Sequence, residues 1–286
     1  MNSNWVKADM SKFVLFILSH GRPHCRDTHD MLRRCGYTGK IMVVIDNEDN
    51  TADEYKKEFG EENVYIFDKP AIAKRIDSMN NFDDRRSPLF VRNAFWDIAK
   101  ELHYDYYCEM DDDYYYFGHR RITGAKRTSR LDTVFQYFVE FLLNTPTKTI
   151  AFSQGGDHIG GFNDKIILKR KAMNSFFCIT DRPCDWKGLM NDDVNTYVYH
   201  GIQGDLFFTF NPFQLDQGDT QQNKGGITEL YLDAGTYVKS FYTVMLAPSC
   251  TKVKQMGRFS MRLHHAIDWK YCTPCIVSEK FRKADN

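Results

Sequence analysis

Three consecutive carboxylates, Asp111, Asp112 and Asp113, end the run Tyr-Asp-Tyr-Tyr-Cys-Glu-Met-Asp-Asp-Asp at residues 104–113. The residues before them are aromatic and β-favouring, and Tyr114-Tyr115-Tyr116-Phe117-Gly118 begins a second strand-like run. Adjacent Asp side chains repel one another and have poor strand propensity, so a strand that ends in them calls for a cause. In an extended segment, alternation sends Asp111 and Asp113 to one face and Asp112 to the other. Two carboxylates projecting together suit a hard divalent cation, Mg²⁺ or Mn²⁺. Such an ion is most useful gripping a diphosphate and neutralising a departing group. The plainer alternative is a solvated acidic turn.

Other polar groups sit where strands should end. Ser19-His20-Gly21-Arg22-Pro23 follows an apolar run, and there His20 and Arg22 suit a nucleobase and a phosphate. Asp46 opens Asp-Asn-Glu-Asp after another apolar run and suits a base or ribose hydroxyl. Each of these alone also reads as a strand-terminating polar turn. Arg92 and Asn93 fall in the first turns of a helix, where an anion is favoured, or are ordinary exposed side chains. Gly155, Gly156, Gly160 and Gly161 crowd one loop, which lets a ligand approach the main chain, or is simply flexible.

Asn191-Asp192-Asp193 opens a helix. Capping explains one carboxylate and leaves the other as a general base or to orient an acceptor hydroxyl. His264 and His265 lie on an apolar stretch, and beside a cation-type acidic cluster one of them is a candidate metal ligand. Arg120 and Arg121, in an expected hairpin, and Lys169-Arg170-Lys171 suit nucleic-acid phosphates or form solvated faces.

What must position these groups is an alternation of buried strands and helices. Residues 12–18 are continuously apolar after Lys12, as in a strand buried on both faces of a parallel sheet. A helix over 28–35, a strand over 40–45, a helix over 51–59 and a strand over 63–67 follow. This alternation predicts a doubly wound sheet with right-handed crossovers and ligands at its carboxyl edge. Further on, the pattern predicts helices over 88–100, 131–143, 194–200 and 228–237, and strands over 149–153 and 240–246. Residues 214–226, rich in Gln, Asp and Gly, suit a lid. No repeat or linker divides the chain. A single domain over 1–286 is expected, with its core at about 12–270 and a charged tail.

The 286 residues include 42% apolar and 27% charged residues, an ordinary globular balance. Lys plus Arg equals Asp plus Glu, so any nucleic-acid contact relies on local patches rather than on a global field. Eight scattered cysteines fit reduced thiols, and Cys272-Thr-Pro-Cys275 has no second pair nearby to make a metal site. No apolar run is long enough for a signal peptide or membrane span, so a cytoplasmic protein without a membrane is expected.

The order of these features resembles the GT-A glycosyltransferases across nearly the whole chain. The resemblance implies an α/β fold: a GT-A-type single domain with a Rossmann-like mixed central sheet and flanking helices. It implies that Asp111 and Asp113 bind Mn²⁺ or Mg²⁺, with His264 or His265 completing the shell. Asp112, Ser19, His20, Arg22, Asp46, Arg92 and Asn93 then fall on the nucleotide side, and Gly160 and Gly161 near the donor sugar. Asp193 or Asp192 supplies the base or an acceptor contact.

More narrowly, Phe16-Ile-Leu-Ser-His-Gly-Arg-Pro23, Val44-Ile-Asp-Asn-Glu48, Gly218-Asp-Thr-Gln-Gln-Asn223 and Ser240-Phe-Tyr-Thr-Val-Met245 are similar to the TET-associated glycosyltransferases of phages. That similarity implies transfer of a hexose from a UDP-sugar (UDP-glucose or UDP-N-acetylglucosamine) to the hydroxyl of 5-hydroxymethylpyrimidine in DNA, 5-hydroxymethylcytosine above all. It also implies a functional link to a TET-type dioxygenase, a host-cytoplasmic setting, and a flipped or single-stranded target base. A eukaryotic relative of the family implies a protein acceptor instead. A binding module for nucleotide sugar or DNA, without turnover, is the third reading.

Overall fold

The computed structural model describes residues 5–80, 83–158, 166–167, 175–217, 227–235, 237–257 and 261–274. The opening alternation forms as expected: β1 (Phe13–Leu18), α1 (Asp27–Arg34), β2 (Lys40–Asp46), α2 (Ala52–Phe59) and β3 (Val64–Phe67). A short α3 (Lys69–Ala73) and the long α4 (Leu89–Glu101) lead to β4 (Tyr106–Asp111). The chain continues through β5 (Tyr114–Arg121), β6 (Gly124–Arg127), α5 (Leu131–Leu143), β7 (Thr147–Gln154), β8 (Ile166–Ile167) and β9 (Ser175–Ile179). Then come α6 (Asp192–Ile202), β10 (Leu206–Gln217), α7 (Ile227–Ala234), α8 (Val238–Leu246), β11 (Thr251–Met256) and β12 (Arg262–Ile267).

The central sheet runs β3-β2-β1-β4-β9-β7-β10-β5-β6, with β8 also on β10. Strands β3, β2, β1 and β4 are parallel, and β9 is antiparallel to its neighbours β4 and β7. It is the expected Rossmann-like mixed sheet. The chain leaves β1 toward β2 and β3, then returns to place β4 on the other side of β1. That reversal makes the gap above β1 and β4 a topological switch point, where open α/β sheets bind ligands. A separate two-stranded sheet pairs β11 with β12.

Alternation along β1 explains its unbroken apolar run. Phe13, Leu15 and Ile17 pack with α1 and α5, whereas Val14 and Phe16 pack with α4 on the other face. Phe16 stacks on Phe95 of α4 at 5.1 Å, and Phe13 on Phe177 of β9 at 5.9 Å. Each such ring, fully buried, contributes about 1.5–3 kcal/mol.

Two expectations are corrected. The acidic run is not extended: β4 stops at Asp111, and Asp112 and Asp113 form the turn into β5. Asp111 therefore shares its strand face with Tyr107 and Glu109 rather than with Asp113. Residues 240–246 are helical, within α8, not a strand. The β-favouring Phe-Tyr-Thr-Val run yields to tertiary packing, which buries Ser240, Tyr242 and Thr243 on one side of a helix. Of the suggested lid, 214–217 belong to β10 and 218–226 lie outside the described residues. No helix among the described residues is long and apolar enough to cross a membrane.

Candidate active site

Leu18 and Asp111 are register partners at the ends of β1 and β4, so the loop after β1 and the acidic turn lie side by side at the switch point. Hydrogen bonds lock them together. Ser19 Oγ donates to Asp112 Oδ2 at 2.5 Å and lies 2.6 Å from the Tyr55 hydroxyl. Arg22 Nη2 reaches Asp112 Oδ1 at 2.6 Å, while the Arg22 backbone N–H donates to Tyr55 at 2.9 Å. Behind the turn, the buried Thr28 hydroxyl donates to the Asp111 carbonyl at 2.6 Å and accepts the Tyr114 N–H at 2.9 Å. Burial pushes Asp112 up to about 6 against the opposing pull of Arg22 and Ser19. Ser19, Arg22 and Asp112, expected on the nucleotide side, are thus brought together and first hold one another. Arg22 also lines an open pocket of about 410 Å³ with Cys25, Asp27, Asp113 and Tyr115.

Toward α4, the shared face of Glu109 and Asp111 meets the buried Arg92. Its Nε is 3.1 Å from Glu109 Oε1, its Nη2 3.6 Å from Asp111 Oδ1, and its Nη1 2.6 Å from Asp192 Oδ2. The guanidinium also lies over the rings of Phe176 and Trp186, at 5.6 and 5.2 Å. Burial alone would favour its neutral form, but Asp192, Glu109 and Asp111 outweigh that and hold it charged. The same burial drives Glu109 well above the usual carboxylate range and Asp111 up to about 7, and it raises Asp192, although Arg92 opposes it at each. Arg92 is therefore an internal hub, not an exposed anion contact at a helix start. Asn93 is also committed internally. It donates to the Leu89 and Trp186 carbonyls at 2.9 and 3.2 Å and accepts the Trp186 N–H at 3.0 Å.

Neither Asp192 nor Asp193 caps α6. The cap position belongs to Asn191, in the left-handed region at φ 62°, with no capping bond from its side chain. Its Nδ2 donates instead to Thr243 Oγ1 at 2.7 Å and lies 3.3 Å from His265 Nδ1. Asp192 is fixed by Arg92, and Asp193 next to it is half-buried in the first turn. His264 Nδ1 meets the His265 carbonyl at 2.9 Å. The two histidines thus sit on β12 behind the α6 cap. Among the described residues no group of three or more His, Cys, Asp and Glu is arranged to hold a metal ion. The expected carboxylate–histidine cluster is not assembled there.

On the far side of the β1 loop, His20 Nδ1 lies 2.8 Å from Asp46 Oδ2, and Lys69 Nζ reaches the same oxygen at 3.3 Å. Asp46 Oδ1 accepts the Glu48 N–H at 3.1 Å. Asp46 is buried with both oxygens engaged, so it orients His20 and Lys69. The hydrogen bond to Asp46 raises the pKa of His20. His20 and Lys69 line an open pocket of about 500 Å³ with Glu48, Asp83, Asp84, Arg85 and Arg86. Gly160, Gly161, Lys169, Arg170 and Lys171 lie outside the described residues. Arg120 donates to Gln214 Oε1 at 3.0 Å, and Arg121 is exposed near the end of β5.

The sequence reading passed over Glu109, Thr28, Tyr55 and Lys69. Glu109 carried a usable signal, since a carboxylate within an apolar strand demands a buried cation. The others are ordinary in sequence and gain meaning only from partners that folding delivers.

No curated protein matches the sequence. One similar solved structure is glucosyl-3-phosphoglycerate synthase from Mycobacterium tuberculosis in complex with Mn²⁺, uridine diphosphate and phosphoglyceric acid. The two are 8% identical, with 89% of this chain and 86% of that one covered and a TM-score of 0.47. A mycobacterial protein is 10% identical, over 93% and 89% of the two chains, with a TM-score of 0.48. The sequence profile of the TET-associated glycosyltransferases matches residues 13–226, well over half of the chain, and the chain belongs to that family.

Proposed function

We propose that this glycosyltransferase moves a hexose from a UDP-sugar to the hydroxyl of a 5-hydroxymethylpyrimidine in DNA, with 5-hydroxymethylcytosine as the first candidate. The observation that carries the donor half of this reading is an imbalance of charge at the switch point. Two guanidiniums face five carboxyl groups: Arg92 serves Glu109, Asp111 and Asp192, Arg22 serves Asp112, and Asp113 is close by in the same turn. An all-oxygen carboxylate set short of positive charge fits Mg²⁺ or Mn²⁺, ions content with one or two protein carboxylates plus water and phosphate oxygens. Asp111 and Asp113 would hold the ion. When bound, it would offset the charge that develops on the departing diphosphate.

The chain's own residues supply the rest. His20, oriented by Asp46, faces the pocket where a nucleoside would lie, and Arg22, paired with Asp112, lines a second pocket beside the acidic turn. Asp192 is pinned by Arg92 and acts as a positioning residue. Asp193 beside it is the base candidate, and proton transfer from the acceptor hydroxyl to its carboxylate would go with inversion at the anomeric carbon. Gly160 and Gly161 are assigned to the donor sugar, and Arg120, Arg121, Lys169, Arg170 and Lys171 to DNA phosphates. The family's association with TET-type dioxygenases supports DNA as acceptor, since such an enzyme makes the hydroxymethyl group that is used here.

Incubation with labelled UDP-glucose or UDP-N-acetylglucosamine, Mn²⁺, hydroxymethylated DNA and protein in one mixture tests the reading. Label on DNA supports it. Label on protein alone moves the acceptor to a protein hydroxyl, and label on neither leaves no support for transfer.

A further inference from the structure

The β5–β6 hairpin concentrates charge that the rest of the chain balances. Residues 119–130 hold Arg120, Arg121, Lys126, Arg127 and Arg130 and no Asp or Glu, in a chain of zero formal net charge. The antiparallel register sets Lys126 opposite His119, and Arg127 opposite Gly118. Alternation then puts His119, Arg121 and Lys126 on one face, and Arg120 and Arg127 on the other. Arg127 is steadied over the Tyr116 ring at 5.8 Å, and Arg120 by Gln214. Asp216, opposite Tyr116, is the acidic residue of β10 on that second face. Strand β6 ends the sheet. At the turn, Ile122 is 86% exposed, a position where an apolar side chain contributes nothing to the free protein's stability.

An anionic rod with grooves fits this object. Two-stranded β-ribbons enter DNA grooves, phosphates on both walls match cations on both faces, and apolar tips wedge between base steps. We propose that the β5–β6 hairpin grips duplex DNA, its cations on the phosphates and Ile122 inserted at a base step. The inference rests on DNA being the acceptor. Because β5 starts at Tyr114, beside the acidic turn, the grip and the reaction site are the two ends of one strand. The eight residues of β5 span roughly 25 Å, or about seven base pairs of B-form DNA. A wedge there would ease the unstacking that delivers a base to the site.

The test measures binding of the full chain to a fluorescent duplex carrying 5-hydroxymethylcytosine, across a salt series and without donor. Lys126→Ala/Arg127→Ala should weaken binding about tenfold and reduce the slope of log K against log salt by about 1.8. Ile122→Ala should lower sugar transfer to duplex about tenfold more than transfer to the same sequence as a single strand. Melting temperatures matching the parent protein's establish that the variants are folded. An unchanged salt slope, or equal losses on duplex and single strand, overturns the grip. A parent protein that neither binds nor modifies DNA removes the acceptor assignment itself. Modification of DNA by the parent, with variants that bind it undiminished, leaves that assignment standing and removes only the grip.

Discussion

Arg92 Nη1 stands 2.6 Å from Asp192 Oδ2, a buried contact between residues one hundred positions apart. It ties α4, which packs under the parallel half of the sheet, to the first turn of α6. The same guanidinium touches Glu109 and Asp111 on β4. One core side chain therefore sets the spacing between the strand end that would hold the cation and the helix that carries Asp193.

Removing that side chain leaves three carboxylates facing one another out of water. Arg92→Met should cost about 3–5 kcal/mol in urea unfolding, the usual consequence of breaking a buried pair. Arg92→Lys should cost less, because charge stays while the forked geometry is lost. Adding Asp192→Asn to Arg92→Met should recover part of the loss. A cost below about 1 kcal/mol for Arg92→Met would show that the hub does not hold the site together.

The His20–Asp46 pair should leave a mark on the pH dependence of stability. Its hydrogen bond to Asp46 raises His20 above 6.5, so this contribution is complete below 6.5 and fades as pH climbs through the folded-state value. For Asp46 burial works upward, but His20 and Lys69 prevail and lower it below 3.8. Its contribution is present above 3.8 and lost as pH falls through the folded-state value. The melting-temperature difference between the parent protein and His20→Gln should therefore be greatest between these limits and shrink on the alkaline side. A difference that grows with rising pH would contradict the pairing.

Cys25, half-buried, donates to the Asp112 carbonyl at 3.4 Å, and burial with the nearby Asp112 pushes its thiol up to about 11. That leaves about a hundredfold less thiolate at neutral pH than at its ordinary value of 9. Iodoacetamide labelling followed by peptide mass spectrometry should show Cys25 reacting about a hundredfold more slowly in the native protein than in denaturant. Equal rates would mean that the loop does not rest on the acidic turn as described.

How much of this was legible in the sequence depends on how local the signal was. The apolar runs of β1 and β2, the helices between them and the Asp111–Asp113 break all announce themselves within a few residues, and so does their common edge. Residues 240–246 misled because Phe-Tyr-Thr-Val favours a strand until packing buries alternate turns of a helix. The left-handed Asn191 occupies the cap position that Asp192 or Asp193 was expected to fill, and its side chain turns instead to Thr243 and His265, residues far along the chain. Arg92 was noticed for its place at a helix start, yet its partners lie 17, 19 and 100 positions away. No window of sequence brings those groups together.

The proposed transfer depends most on a cation that Asp111 and Asp113 would hold against the donor diphosphate. The most direct measurement is the rate of UDP release from a UDP-sugar with hydroxymethylated DNA as acceptor, in Mn²⁺, after chelation, and after Mn²⁺ is restored. The account predicts release in Mn²⁺, loss with chelator, recovery on restoring the ion, and at least a hundredfold deficit in Asp111→Asn. Undiminished release in chelator, or an Asp111→Asn protein as fast as the parent, would contradict it.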